Sequence, residues 1–265
     1  MALAATHKDI AALELAQGEI RFYQEEGYLL IPGLLSAPFA QELRDEVMAI
    51  VQQIGMLRDR SGRLRGAAGK LVQTQQYLKG GAVDALVNSD ELAHLAGQLM
   101  GGSAMLYLPF TAVKGAGGGG RFHFHQDNQY THFDGPGINL WCALSPMHPE
   151  NGCLQIVPRS HQLGTLEATD SGDGDTHRRL TVEPSRFLPL RMQPGDCVAF
   201  SRLTVHGSGV NSSDEVRVAY AVQFARHDAS AFFDGRWAPL AERPRFDPRP
   251  VTELVEPDAD RDEEG

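Results

Sequence analysis

The sequence predicts a mainly β protein, an antiparallel sandwich or jelly roll with flanking helices. From about residue 104 the chain breaks into short apolar runs. Turn signals divide them: the Gly-rich residues 115–120, Asp134-Gly-Pro-Gly, Glu150-Asn-Gly and Pro194-Gly-Asp. No helical pattern separates these runs outside residues 161–186, and strands without crossover helices pair antiparallel. The N-terminal third instead carries helical periodicity.

The elements follow in order. Tyr28-Leu29-Leu30-Ile31 reads as a short strand closed by Pro32-Gly33. Ser36 caps a helix with Pro38 in its first turn, and Phe39, Leu43, Val47, Ile50 and Val51 recur at helical spacing. A loop with Arg58, Arg60, Arg63, Arg65 and Lys70 comes next; it is either a contact for a carboxylate, phosphate or CoA group or a solvated surface. Ser89 caps a second helix, with Asp90 and Glu91 in its first turn and Leu92, Leu95 and Leu99 on one face. Strands are expected over 104–114, 121–130, 138–144, 153–158, 187–191, 197–201 and 216–226. Residues 164–186 are polar and rich in Asp and Gly, which reads as a substrate lid or a disordered loop. One domain is expected over 1–250, helical over 1–103 and with its β core over 104–230, ahead of an acidic tail at 251–265.

Of the 265 residues, 42% are hydrophobic and 22% charged, ample for a core. The net charge is -10, and seven acids against Arg261 concentrate it in residues 253–265, a solvated tail. No basic surface suited to nucleic acid is present, which excludes that class of function. No window reaches the roughly 18 apolar residues of a membrane helix. The first residues lack a charged stretch followed by an apolar block, so no secretory signal is expected. Cys142, Cys153 and Cys197 lie in apolar runs without paired spacing and read as buried free thiols of a reducing cytoplasm.

The chemistry lies in four residues. Strict alternation along 121–130 puts His123, His125 and Asp127 on one face, with Phe122, Phe124 and Gln126 opposite. His125 and Asp127 then reach one metal, although spacing does not choose between His123 and His125. His206 follows strand 197–201 in a His-Gly-Ser-Gly run whose glycines let the backbone turn closely. Arg217 shares a strand face with Ala219, Ala221 and Gln223, and a buried Arg there demands an anion. Two imidazoles and a carboxylate on one side of a metal leave positions open, the arrangement of non-haem Fe(II) oxygenases. The guanidinium fork matches a carboxylate such as the far one of 2-oxoglutarate. A zinc hydrolase with the same ligands and a metal-binding jelly roll without turnover are the rival readings; Arg217 argues against the first.

Longer motifs join these residues. They are Phe22-Tyr-Gln-Glu-Glu-Gly-Tyr-Leu-Leu-Ile-Pro-Gly-Leu-Leu-Ser, His125-Gln126-Asp127, Trp141, Glu150-Asn151-Gly152-Cys153-Leu154, Val157-Pro158-Arg159-Ser160-His161, Pro194-Gly195-Asp196, and His206-Gly-Ser-Gly-Val-Asn-Ser with Arg217 beyond. Together they resemble the phytanoyl-CoA dioxygenase family of Fe(II)/2-oxoglutarate oxygenases, with Arg159 where Gly is usual. The resemblance covers most of the chain. It implies a double-stranded β-helix (cupin-like jelly roll) core, with His125, Asp127 and His206 as metal ligands. It implies that Arg217 and Ser208 bind the distal carboxylate of 2-oxoglutarate in a pocket lined by Trp141. Lys114 stands near a family lysine ahead of the His-Gln-Asp strand, with Gly115 in place of the usual Pro, and the resemblance adds it to the residues implied to bind 2-oxoglutarate. Gln126 and Asn211 are implied to support the ligands.

The implied cofactors are Fe(II), 2-oxoglutarate as cosubstrate, and O2. Asp127 is kept where halogenases of related folds have a small residue, which favours hydroxylation of an unactivated C–H bond with release of succinate and CO2. The expected substrate is a small molecule, a metabolite or natural-product intermediate. An acyl-CoA substrate, and desaturation or cyclisation, are the alternatives. Gln129, Tyr130 and His132 follow the ligand strand and either contact substrate or form an exposed loop.

Overall fold

A computed structural model describes residues 9–53, 75, 77–118, 120–170, 178–242 and 250–251. Helix α1 (Gln17–Glu26) leads into strand β1 (Tyr28–Ile31), and helix α2 (Ala37–Gln53) follows. Gly27 joins α1 to β1 with φ 82, and a Cβ there would fall 2.3 Å from the His161 ring, so the turn requires glycine. Ser36 caps α2 as expected, its Oγ accepting the Phe39 N–H at 3.3 Å. The residues at helical spacing, Phe39, Leu43, Val47, Ile50 and Val51, are all buried. Strand β2 (Tyr77–Leu78) and helices α3 (Ala82–Val87) and α4 (Asp90–Met100) come next. Ser89 caps α4 by accepting the Leu92 N–H, and Leu92, Leu95 and Leu99 are buried. The basic loop 58–70 lies outside the described residues.

The β part begins with β3 (Ala104–Lys114), β4 (Phe122–His125), β5 (Phe133–Asp134), β6 (Gly137–Ala143) and β7 (Leu154–Ile156). A hairpin of β8 (Thr169–Asp170) and β9 (Arg178–Arg179) precedes β10 (Leu188–Pro189), β11 (Cys197–Ser201), β12 (His206–Ser208) and β13 (Arg217–Arg226). Strands β14 (Ser230–Phe233), β15 (Arg236–Pro239) and β16 (Pro250–Val251) follow. One antiparallel sheet has the order β1-β11-β6-β13-β3, and a second has the order β10-β7-β12-β4. The strand β1 from the helical part therefore edges the main sheet, so the core draws on more than residues 104–230. Val251, expected to open the tail, pairs with Leu78; the residues beyond it lie outside the described ones.

Strand β13 shows how the layers form. Val218, Tyr220, Val222 and Phe224 pack under α2 and α4 with Leu43, Val47, Leu92 and Leu95. Ala219 and Ala221 face the second sheet, beside Trp141, Leu154, Ile156, Val198 and Phe200. Each fully buried Leu or Val of these layers contributes about 1.5–3 kcal/mol. The small Ala112 lines the cavity that opens between the sheets. All three cysteines are free and buried. Among the described residues, no helix is long and apolar enough to cross a membrane.

Candidate active site

A cavity of about 490 Å³ opens between the two sheets. His125, Asp127 and His206 sit on its wall, with one ligand atom from each within 4.8 Å of the others. His125 ends β4 and His206 begins β12, directly opposite it in the ladder. The two Nε2 atoms lie 3.9 and 3.7 Å from Asp127 Oδ1, too far for hydrogen bonds. These separations fall within the ~4 Å that two donors, each about 2.1 Å from one ion, span across it. The other ring nitrogens are committed. His125 Nδ1 donates to the His123 carbonyl at 2.7 Å, and His206 Nδ1 to the Thr204 carbonyl at 2.9 Å. That bond places the proton on Nδ1 and leaves each Nε2 lone pair facing the cavity. Asp127 Oδ2 accepts from Gln223 Nε2 at 3.0 Å and Asn139 Nδ2 at 3.4 Å, which turns Oδ1 towards the histidines. A set of two imidazole nitrogens and one carboxylate oxygen, unblocked on one side, fits Fe(II).

The local structure departs from strict alternation. Strand β4 stops at His125, and Asp127 opens a short 3-10 turn over Asp127–Gln129. The turn, rather than an extended strand to residue 130, brings Asp127 to His125. The β12–β4 ladder also slips between the His206–His125 and Ser208–Phe122 pairs. The extra residue of that bulge reverses the alternation, so Phe122 shares the cavity with His125, ring centroids 4.5 Å apart. His123 offers its backbone carbonyl instead, and it is His125 that joins Asp127 and His206.

Arg217 is buried on the same cavity. Its Nη1 and Nη2 donate to the carbonyls of Gly152 and Ala112 at 3.1 and 3.2 Å, while Nε is buried without a partner. Trp141 lies beneath the guanidinium, 5.3 Å from it, and Ser208 lines the wall nearby. Burial pushes Arg217 down to about 9, offset only in part by the Cys153 thiol; an arginine keeps its proton, so the strain is a demand for an anion. Lys114 is equally buried, but it lies behind the wall and donates to the Gly209 carbonyl. Gly152, at φ 70, gives the backbone room here, since a Cβ would meet the Gly209 oxygen at 2.4 Å. Burial, then the charge of Arg217, lower Lys114 to about 6 from its ordinary 10.5. Between those values the unfolded chain binds a proton that the folded chain does not. Stability of the metal-free protein is therefore expected to rise with pH from about 6 to about 9, above which the raised thiols of Cys153 and Cys197 oppose the Lys114 contribution. Denaturant unfolding across that range checks it, against Lys114→Met, in which this rise disappears.

The remaining expected residues divide. Tyr130 lines the cavity; Gln129 and His132 are not among the lining residues. Gln129 turns away, its Nε2 donating to the Leu166 carbonyl and its Oε1 accepting the Gln126 N–H. Gln126 points outward too, bonding Gly164, Leu203 and Leu166 rather than any ligand. Together with Asn128, which reaches Thr165, these amides tie residues 164–166 to the turn that carries Asp127. The described part of 164–186 thus braces that turn and does not line the cavity. Asn211 donates to the carbonyls of Lys114, Gly115 and Glu215, closing the loop between Ser208 and Arg217.

Several cavity residues escape motif reading: Arg202, Asn139, Gln223, Phe122 and Tyr107. Asn139 carries a sequence signal, being polar within the otherwise apolar run Gly137–Ala143. Gln223 carries a weaker one, on the cavity face of β13. Arg202 has none, because it follows β11 without any pattern around it.

A metal bound here keeps part of its coordination open, and a fixed guanidinium faces the same space. Fold and site together define an Fe(II)- and 2-oxoglutarate-dependent oxygenase. The model of the phytanoyl-CoA dioxygenase (PhyH) family matches residues 23–219, and the chain belongs to that family. It is 29% identical over 211 residues to the methylphosphonate hydroxylase of Gimesia maris, covering 77% of this chain and 78% of that one. It is 29% identical over 230 residues to the dioxygenase aneA of Aspergillus aculeatus, covering 80% and 73%. Its fold matches the crystal structure of EvdO2 from Micromonospora carbonacea var. aurantiaca, with a TM-score of 0.68, 20% identity and coverage of 89% and 98%. The fold is the double-stranded β-helix.

Proposed function

We propose that this chain hydroxylates an unactivated C–H bond of a small-molecule substrate, a metabolite or natural-product intermediate, and releases succinate and CO2. The observation that carries the reading is the convergence of His125 Nε2, His206 Nε2 and Asp127 Oδ1 on one cavity that also holds the buried Arg217. His125, Asp127 and His206 would hold the iron, and Arg217 with Ser208 would take the distal carboxylate of 2-oxoglutarate over Trp141. When bound, iron with 2-oxoglutarate and O2 supplies the oxidising power. The protein's part is positioning. The Nδ1 bonds fix the orientation of both imidazoles and aim their Nε2 atoms into the cavity. Arg217 would orient the cosubstrate, and Phe122, Phe200 and Leu154 give the site apolar walls.

Beyond the ligands, Tyr107, Leu108, Phe110, Tyr130 and Thr131 line the space left for substrate. That lining suits a largely apolar molecule with few polar groups. The Gimesia maris relative supports a small substrate over an acyl-CoA, because methylphosphonate is small. A reducing cytoplasm suits the free, buried thiols, and one catalytic domain over 1–250 ahead of an acidic tail is part of the same proposal. The test is an anaerobic titration with Fe(II) and 2-oxoglutarate. The expected result is a visible charge-transfer band that needs both, and succinate formation once O2 and substrate are admitted. Metal binding without any band would overturn the reading in favour of a metal protein that uses no cosubstrate.

A further inference from the structure

Asp127 has two carboxylate oxygens, and only one faces the histidines. Its Oδ2 accepts from Gln223 Nε2 at 3.0 Å. A glutamine presents either its oxygen or its nitrogen, and the choice belongs to its neighbours. Here the neighbour on the far side is Arg202, whose Nη1 donates to Gln223 Oε1 at 2.8 Å. An arginine only donates. The Gln223 oxygen must therefore face Arg202, and its N–H must face Asp127. The flipped amide would oppose N–H to N–H and oxygen to oxygen. Both side chains are buried, where such mispairing has no water to relieve it.

The same guanidinium grips the residue by its main chain. Arg202 Nη2 donates to the Asp127 carbonyl at 3.0 Å and to the Thr131 carbonyl at 3.2 Å. The Arg202 Cζ lies over the Phe133 ring, 4.0 Å from its centroid, and 5.1 Å from that of Tyr107. One cation thus restrains both ends of Asp127: the backbone directly, the carboxylate through Gln223. We propose that Arg202 and Gln223 are positioning residues that hold Asp127 as a one-oxygen ligand, an inference resting on the metal-site reading above. A carboxylate free to rotate would no longer hold Oδ1 aimed at the ion, which weakens metal binding, and its second oxygen would compete for a position that the chelating cosubstrate or O2 requires. Asn139, donating to the same Oδ2 at 3.4 Å, adds to the restraint.

The experiment is Co(II) titration of the full chain, with the Fe(II) and 2-oxoglutarate band recorded anaerobically and thermal unfolding followed in parallel. Gln223→Met keeps the other bonds of Arg202 and removes the N–H that faces Asp127. It is expected to raise the Co(II) Kd roughly 10- to 100-fold and to weaken the cosubstrate band. Arg202→Met is expected to act in the same range, and the double variant to lie within about 3-fold of the weaker single, because both break one relay. Where Arg202→Met fails to fold, Arg202→Lys replaces it, since an ammonium cannot serve the fork of acceptors and Kd still rises. A Gln223→Met protein with Kd within about 2-fold of the parent and an unchanged band overturns the proposal, as do fully additive losses. A parent that binds no Co(II) overturns the metal-site reading itself and this proposal with it.

Discussion

His206→Ala is expected to abolish the 2-oxoglutarate-dependent absorption and to raise the metal Kd by at least on the order of 100-fold, beyond what loss of a supporting hydrogen bond costs. The variant keeps its backbone place between β7 and β4, because those bonds do not involve the ring. Losing the ring leaves the Thr204 carbonyl without its donor, a cost of about 1–3 kcal/mol that a domain of ordinary stability tolerates. His123→Ala is the companion. Only its backbone carbonyl serves His125, so metal binding and the band are expected to survive. Anaerobic titration of both variants decides: retention of the band in His206→Ala, or its loss in His123→Ala, would show that the ligands are assigned wrongly.

The second large effect belongs to Arg217. Arg217→Met is expected to weaken 2-oxoglutarate binding by about 2–5 kcal/mol, the usual loss when one partner of a buried charge pair is truncated. That corresponds to roughly 30-fold to several thousand-fold in Kd. Without cosubstrate the sign differs. The guanidinium is buried with Nε unpaired, so removing it relieves a desolvation penalty while losing two bonds to backbone carbonyls. The metal-free variant is therefore expected to unfold close to the parent's denaturant midpoint, while added 2-oxoglutarate stabilises only the parent. Equal stabilisation of both proteins would place the cosubstrate elsewhere. Metal binding by Arg217→Met is expected to remain near the parent's, because the metal ligands do not contact it.

These outcomes follow from features of unequal legibility. The helices around Leu43 and Leu95 and the long strands β3, β11 and β13 were readable because hydrophobic period and caps are local properties. So were the two sides of β13, Arg217 and Gln223 on one and Val218 and Tyr220 on the other, because a strand alternates wherever its ladder is regular. The reading failed where the ladder is irregular. Along 121–130 an extended strand was expected, and the bulge in β4 and the turn at Asp127 replaced it. Phe122 changed sides as a result. Short strands such as β5, β12, β14 and β15 were missed or merged, since a few residues carry too little periodicity. Gln126 and Gln129 were expected near ligands or substrate, but their long amides reach outward to backbone across nearly forty residues.

By itself the sequence determined the class of fold, the residues able to hold a metal, and the arginine that calls for an anion. Those depend on residue type and short spacing, which the chain carries locally. The tertiary structure alone decided which histidine faces Asp127, which nitrogen of each ring is free, and which oxygen of Asp127 is restrained. It alone also brought Arg202 against Gln223, a donor against an amide acceptor, across a turn no motif marks. Orientation of this kind comes from hydrogen bonds between residues distant in sequence, and each such bond exists only once the two sheets have closed around the cavity.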